Sequence, residues 1–116
     1  MASPVVFLQW ATPDIPKMQA FYGELFGWDF TTRDSGEVQI NPHGPGDFDV
    51  RSAFLQAKTP QPLVTPWVRV VDLWATFEKA KELGAEVIFP IRQDFLGRHF
   101  CLIRALDGQI VAIVQA

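Results

Sequence analysis

Asp14-Ile15-Pro16-Lys17-Met18-Gln19-Ala20-Phe21-Tyr22-Gly23-Glu24-Leu25-Phe26-Gly27 reads as a helix with both ends marked, and Asp72-Leu73-Trp74-Ala75-Thr76-Phe77-Glu78-Lys79-Ala80-Lys81-Glu82-Leu83-Gly84 reads as a second. An aspartate at the start can accept hydrogen bonds from the free amides of the first turn, and a glycine at the end suits the left-handed conformation that stops a helix. Ile15, Met18, Phe21, Tyr22, Leu25 and Phe26 fall at spacings that predict one apolar stripe, as do Leu73, Phe77, Ala80 and Leu83. Asp14 and Asp72 are 58 positions apart, Glu24 and Glu82 also 58, and Gly27 and Gly84 57, in a chain of 116 residues. Ala53-Phe54-Leu55-Gln56-Ala57 likewise reads like Ala112-Ile113-Val114-Gln115-Ala116, at an offset of 59. Separated matches near half the chain length point to a duplicated unit.

Each helix has β-like runs around it. Val5 to Trp10 precedes the first, and Trp28 to Thr32, Glu37 to Asn41 and Phe48 to Ala57 follow it; Trp67 to Val71 precedes the second, and Ala85 to Phe89, His99 to Arg104 and Gln109 to Gln115 follow. Lys58-Thr59-Pro60-Gln61-Pro62 separates the halves, its prolines barring helix or central strand. The expected fold class is therefore α+β, a single domain over residues 1–116 made of two tandem β-α-β-β-β modules, about 1–57 and about 63–116. A sheet covered by a helix on one face still needs a partner for the other. The predicted solution is a curved, partly open eight-stranded sheet around a shared cleft, with the helices outside, and that cleft is where a ligand belongs.

Composition narrows the classes of function. Hydrophobic residues are 48% and charged residues 20%, which suits a globular chain rather than a disordered one. A net charge of −3 and no Lys or Arg run argue against a nucleic-acid partner. No apolar run is long enough to cross a bilayer, the N-terminus does not read as a signal peptide, and the lone Cys101 has no disulfide partner, so no membrane role and a cytoplasmic location are expected. Cys101 lacks a local base and reads as a buried, inert thiol. His43 and His99 have no second ligand nearby, and Gly44-Pro45-Gly46 lacks the Lys-Ser/Thr and helix of a phosphate loop.

Phe21-Tyr22-Gly23-Glu24-Leu25-Phe26-Gly27-Trp28 resembles the first-helix signature of the vicinal oxygen chelate superfamily, the glyoxalase, bleomycin-resistance protein and extradiol dioxygenase group. Val70-Val71-Asp72-Leu73 through Lys79-Ala80-Lys81-Glu82-Leu83-Gly84-Ala85 is similar to its second-module counterpart. Metal-dependent members of that group place up to four His, Gln or Glu ligands on the first and last strands of the modules. The corresponding positions here are Phe7, Ala53, Thr65 and Ala112. Phenyl and methyl groups cannot coordinate a cation, and a threonine hydroxyl is a weak ligand, so neither a metal nor a cofactor is expected.

Strand alternation then predicts the cleft lining. With Phe7 turned inward, Gln9 follows; Trp67 and Arg69 follow Thr65, Arg51 joins Ala53, and Ile110 and Val114 join Ala112. The register of the last hairpin is open: a two-residue Asp107-Gly108 loop puts His99 and Cys101 inward, and a three-residue loop with Gly108 in a bulge puts Arg98 and Phe100 there, the second being preferred. Pro90 to Gly97 reads as a surface connection or as a flap over the opening. The candidate ligand-binding residues are Phe7, Gln9, Arg51, Trp67, Arg69, Phe100 and Ala112, against the alternative that Phe7 and Trp67 merely fill a core while the arginines reach to its rim. Three functions follow: a metal-free binder of a small hydrophobic or aromatic molecule, placed first; a metal-dependent lyase or dioxygenase of the same superfamily; and an interaction protein with a vestigial cleft. The resemblance implies a homodimer, and catalysis is left open.

Overall fold

Both helices start as their aspartates require. In the computed structural model, which describes residues 3–41, 50–94 and 96–116, the Asp14 carboxylate accepts a hydrogen bond from the Lys17 N–H and the Asp72 carboxylate one from the Ala75 N–H, each at 3.1 Å. Helix α1 (Ile15–Phe26) carries Pro16 in its first turn, where a missing N–H leaves no intrahelical bond unmade, and stops at Gly27 with φ 71°. Helix α2 (Leu73–Glu82) ends at Leu83, followed by Gly84 at φ 98°.

The described residues form these two helices and eight strands: β1 (Val5–Thr12), β2 (Asp29–Thr32), β3 (Val38–Asn41), β4 (Arg51–Gln56), β5 (Leu63–Val70), β6 (Glu86–Gln93), β7 (His99–Arg104) and β8 (Ile110–Gln115). The fold class is α+β, with the order β-α-β-β-β occurring twice. Two compact units result: Phe7–Thr65, and Pro66–Ala116 together with the residues up to Val6. The boundary falls inside β1 and β5; the Pro4 carbonyl accepts from the Arg69 N–H, so the chain's start belongs with the second unit.

In the first unit the strands lie in the order β2-β3-β4-β1, in the second β5-β8-β7-β6. β1 runs parallel to β4 with Gln9 opposite Ala53, and β5 runs parallel to β8 with Trp67 opposite Ala112. These pairings are repeat-equivalent, and so are the bonds that hold them. The Gln56 side chain donates to the Pro13 carbonyl at 2.8 Å, and Gln115 donates to the Val71 carbonyl at 2.6 Å. Gln115 also accepts from the Leu73 N–H at 2.7 Å, satisfying a first-turn amide that the N-cap does not reach.

Each helix covers one face of its sheet. Ile15 meets Val38, Ile40 and Phe54 in the first unit, with Trp10 and Tyr22 packed against them; Leu73 meets Val70, Cys101 and Ile113 in the second, with Phe77 alongside. The Trp10 indole N–H is buried without a hydrogen-bond acceptor among the described residues, enclosed edge-on by the rings of Tyr22, Trp28 and Phe54.

Several elements depart from the sequence reading. The apolar stripe of α1 is narrower than its spacing predicts: Ile15, Met18 and Tyr22 face the core, whereas Phe21, Leu25 and Phe26 are each more than half exposed. Leu83 is also exposed, because α2 has already ended there. β5 begins at Leu63 rather than Trp67 and carries Pro66 within it. β6 runs past Pro90 to Gln93, so Pro90 to Gln93 is strand and not flap, and Asp94 turns directly into Arg98. Phe95, His43, Gly44-Pro45-Gly46, Phe48 and Asp49 lie outside the described residues.

The turn before β8 decides the last register. Ala105 and Gln109 close the hairpin, the Gly108 N–H donates to the Ala105 carbonyl, and Gly108 adopts φ 92°, which a side chain would resist. This is the three-residue loop of the two alternatives. Gly36 and Gly97 fill the same place in the hairpins closed by Arg33 with Glu37 and by Asp94 with Arg98.

Candidate functional site

The sheet face turned away from the helix, called here the far face, carries the candidate residues in both units. In the second unit β7 pairs with β8 so that Cys101 is opposite Ile113 and Phe100 opposite Val114. Cys101 and Ile113 are in the helix-side core, so Phe100, Leu102, Ala112 and Val114 belong to the far face by alternation. Trp67 joins them, being opposite Ala112, and Arg69 joins opposite Val114. Ala112 is fully buried, and with only a methyl there the rings of Trp67 and Phe100 meet across β8 with centroids 5.4 Å apart and planes tilted by 35°.

β6 adds two residues that strand alternation from the sequence did not find. Phe89 pairs with Leu102 and Arg92 with Phe100, so three residues of β6 span two of β7. This bulge puts Phe89 and Arg92 on one face despite their odd spacing, while Ile91 packs into the core. The Arg92 guanidinium lies 4.3 Å from the Phe89 ring centroid. Pro90 was the available signal, since a proline inside a strand marks an edge or a bulge.

In the first unit Trp10 and Phe54 pack with the helix, so Phe7, Gln9, Arg51 and Ala53 occupy the far face; Phe7 is opposite Arg51. Here the face is largely polar. Gln39 is opposite Ala53 and accepts a hydrogen bond from Arg33, and Thr31 and Asn41 bond each other at 3.1–3.2 Å. Gln39, Asn41 and Thr31 also escaped the sequence reading, which was anchored only on the first and last strands of each module. Phe7, Gln9 and Arg51 thus belong to one unit, and Trp67, Arg69, Phe100 and Ala112 to the other.

Arg98, which accompanied Phe100 in the preferred register, is instead committed to the β6–β7 turn. Its Nε donates to the Asp94 carboxylate at 2.9 Å, and the same carboxylate accepts from the Leu96 and Arg98 backbone N–H groups. Burial pushes the Asp94 carboxyl upward, but these hydrogen bonds and the guanidinium charge outweigh it and leave its pKa below the usual value. Burial pushes the Cys101 thiol up to about 11. His99 lies on the helix side, its ring 5.2 Å from Trp74. Among the described residues no three His, Cys, Asp or Glu side chains come together to hold a metal. Ala53 and Ala112 present only buried methyls at the positions where the resemblance puts ligands.

A family model described as a glyoxalase-like domain matches residues 5–103. The chain belongs to the glyoxalase-like domain family. No curated protein sequence matches it. Among solved structures, this glyoxalase-like chain is similar to a glyoxalase/bleomycin resistance protein/dioxygenase superfamily member from Vibrio splendidus 12B01, at TM-score 0.73 and 15% identity, covering 99% of this chain and 100% of that one. A hypothetical protein from Bacillus halodurans C-125 matches at TM-score 0.73 and 11% identity, over 100% and 96%. A methylmalonyl-CoA epimerase from Streptomyces coelicolor, in complex with 2-nitronate-propionyl-CoA, matches at TM-score 0.69 and 12% identity, over 100% and 99%. At these identities the likeness is one of fold, and one fold hosts many chemistries. No helix of the described residues is long and apolar enough to cross a membrane.

Proposed function

We propose that this glyoxalase-like chain is a metal-free binder of a small, largely hydrophobic or aromatic molecule, acting as a cytoplasmic homodimer, with Trp67, Arg69 and Phe100 on the far face of the second unit in contact with the ligand. The observation that carries the reading is the tilted pair of Trp67 and Phe100 over the buried methyl of Ala112. Two rings on a sheet face form a platform on which a planar ligand can stack, and exposed Arg69, two residues along β5, can direct an anionic substituent. The absence of metal in the proposal rests on the chemistry at Phe7, Ala53, Thr65 and Ala112, which supplies no imidazole or carboxylate. The epimerase neighbour holds a CoA ester analogue, so the fold can serve small-molecule ligands; its chemistry is not carried over.

A screen of aromatic ligands by tryptophan fluorescence tests the proposal. A bound ligand is expected to perturb Trp67 emission. Arg69→Ala should weaken an anionic aromatic ligand by about 1.5 to 3 kcal/mol, the range for a hydrogen bond to a charged group, and leave the fold intact. Val68 points into the core, so Val68→Ala should lower stability before it alters affinity. A crystal structure of a complex with the ligand away from Trp67 and Arg69 would reject the site.

A further inference from the structure

We infer that Arg92, brought to the far face by the bulge in β6, selects for a carboxylate or sulfonate on the aromatic ligand, with Phe89 holding it in place; this rests on the binding function proposed above. In an even strand Phe89 and Arg92 would point to opposite faces. The register shift between Phe89 opposite Leu102 and Arg92 opposite Phe100 turns both to the same side. Pro90 has no N–H to lose from a ladder, which lets an outermost strand of the unit take the bulge without an orphaned donor.

The charge of Arg92 is left available for a ligand. Arg33, Arg98 and Arg104 each pair with a carboxylate, of Glu37, Asp94 and Glu86 respectively. Among the described residues Arg92 pairs with none, and its guanidinium rests against the Phe89 ring instead. A guanidinium held against an aromatic face keeps its donor edge outward, the geometry that takes a carboxylate through two parallel hydrogen bonds. Phe100, its cross-strand neighbour, continues the apolar surface to Trp67. The combination fits an aryl ring stacked on the Trp67–Phe100 platform with its acid group reaching toward β6. Phe89 is 38% exposed and Arg92 is exposed, so both are open to such a ligand, and their replacement does not excavate the core.

The experiment compares 2-naphthoate with its neutral analogue 2-naphthylmethanol, titrated against the full chain, Arg92→Gln, Phe89→Leu and Arg69→Ala, with thermal melts to establish that each variant is folded. The wild type should prefer naphthoate. Arg92→Gln should lose about tenfold or more in naphthoate affinity, as expected for a charge-assisted contact, and keep naphthylmethanol within about twofold. Phe89→Leu should weaken naphthoate less than Arg92→Gln does. Equal losses for both probes in Arg92→Gln, no loss for either, or a naphthoate preference lost in Arg69→Ala but unchanged in Arg92→Gln would overturn the assignment to Arg92 and leave the binding function standing. No saturable binding of either probe to the wild type would overturn both.

Discussion

Cys101 is fully buried among Val70, Leu73 and Ile113, and that environment disfavours a thiolate. With its pKa pushed up to about 11, the thiol is neutral at ordinary pH and makes a packing contact rather than a nucleophile. Native protein at pH 8 should therefore resist alkylation by iodoacetamide, and reaction should appear on unfolding; rapid labelling of folded protein would contradict the burial. The linkage has a definite sign. A thiol whose pKa is higher folded than unfolded favours the native state fully below the unfolded value near 9, and that contribution is lost as pH rises toward 11. Compared with Cys101→Ala, the wild type should lose stability more steeply between those values, by up to about 1.4 kcal/mol per pH unit. Denaturant melts of both proteins at pH 8, 9.5 and 11 measure the difference. The inert character of this residue was legible in the sequence from its isolation; its place on the helix side was not, because alternation alone allowed either hairpin register.

Secondary structure was most legible where backbone groups need particular side chains. The aspartates of both N-caps and the helix-ending glycines follow from hydrogen-bonding and steric needs that act locally, so α1 and α2 were readable without tertiary knowledge, whereas the turn at Gly108 was marked but its loop length was left open. Prolines misled at the strands. Pro66 lies inside β5 and Pro90 inside β6, so each strand extends through a residue that reads from sequence as a break. The bulge then inverted the parity on which Phe89 and Arg92 depend, which hid the contribution of β6 to the second unit's far face. The outward aromatics of α1 were hidden for another reason: Phe21 and Leu25 keep the helical spacing of core residues while facing outward. The same accounting assigns a structural role to Gln115, whose side chain links β8 to the start of α2 through the Val71 carbonyl and the Leu73 N–H. Gln115→Ala should cost about 1 to 3 kcal/mol, since a first-turn amide loses its acceptor, and Gln115→Glu should recover the bond to Leu73 but not the one to Val71. In the β6–β7 turn, the lowered pKa of Asp94 means its stabilising effect is present above the ordinary carboxyl pKa and is lost as pH falls through the lower folded value. The stability gap between wild type and Asp94→Asn, read from melts at pH 7 and pH 2.5, should shrink accordingly.

At the scale of the chain, duplication preserved the scaffold and let the far faces diverge. Ile15 and Leu73 anchor equivalent cores, and Gln56 and Gln115 make equivalent ties, yet Gln9 in one unit corresponds to Trp67 in the other and Arg51 to Ile110. Sequence matching detects what was preserved, so the module plan was legible; the diverged faces needed strand register before their residues could be grouped. The proposed absence of a metal rests on four positions whose side chains are poor ligands. Phe7 and Thr65 are repeat-equivalent, as are Ala53 and Ala112, and both alanines are buried. A divalent ion bound through thiolate, imidazole or carboxylate would need several of those groups to converge, and none do so among the described residues. Purified protein, dialysed against a mild chelator and subjected to elemental analysis together with native mass spectrometry, should therefore carry no stoichiometric zinc, nickel, iron or manganese, and should run at twice the 13.1 kDa chain mass if the proposed homodimer forms. Retention of about one transition metal per chain after that treatment would overturn the metal-free reading, because affinity of that order requires a coordination shell that these four positions cannot supply.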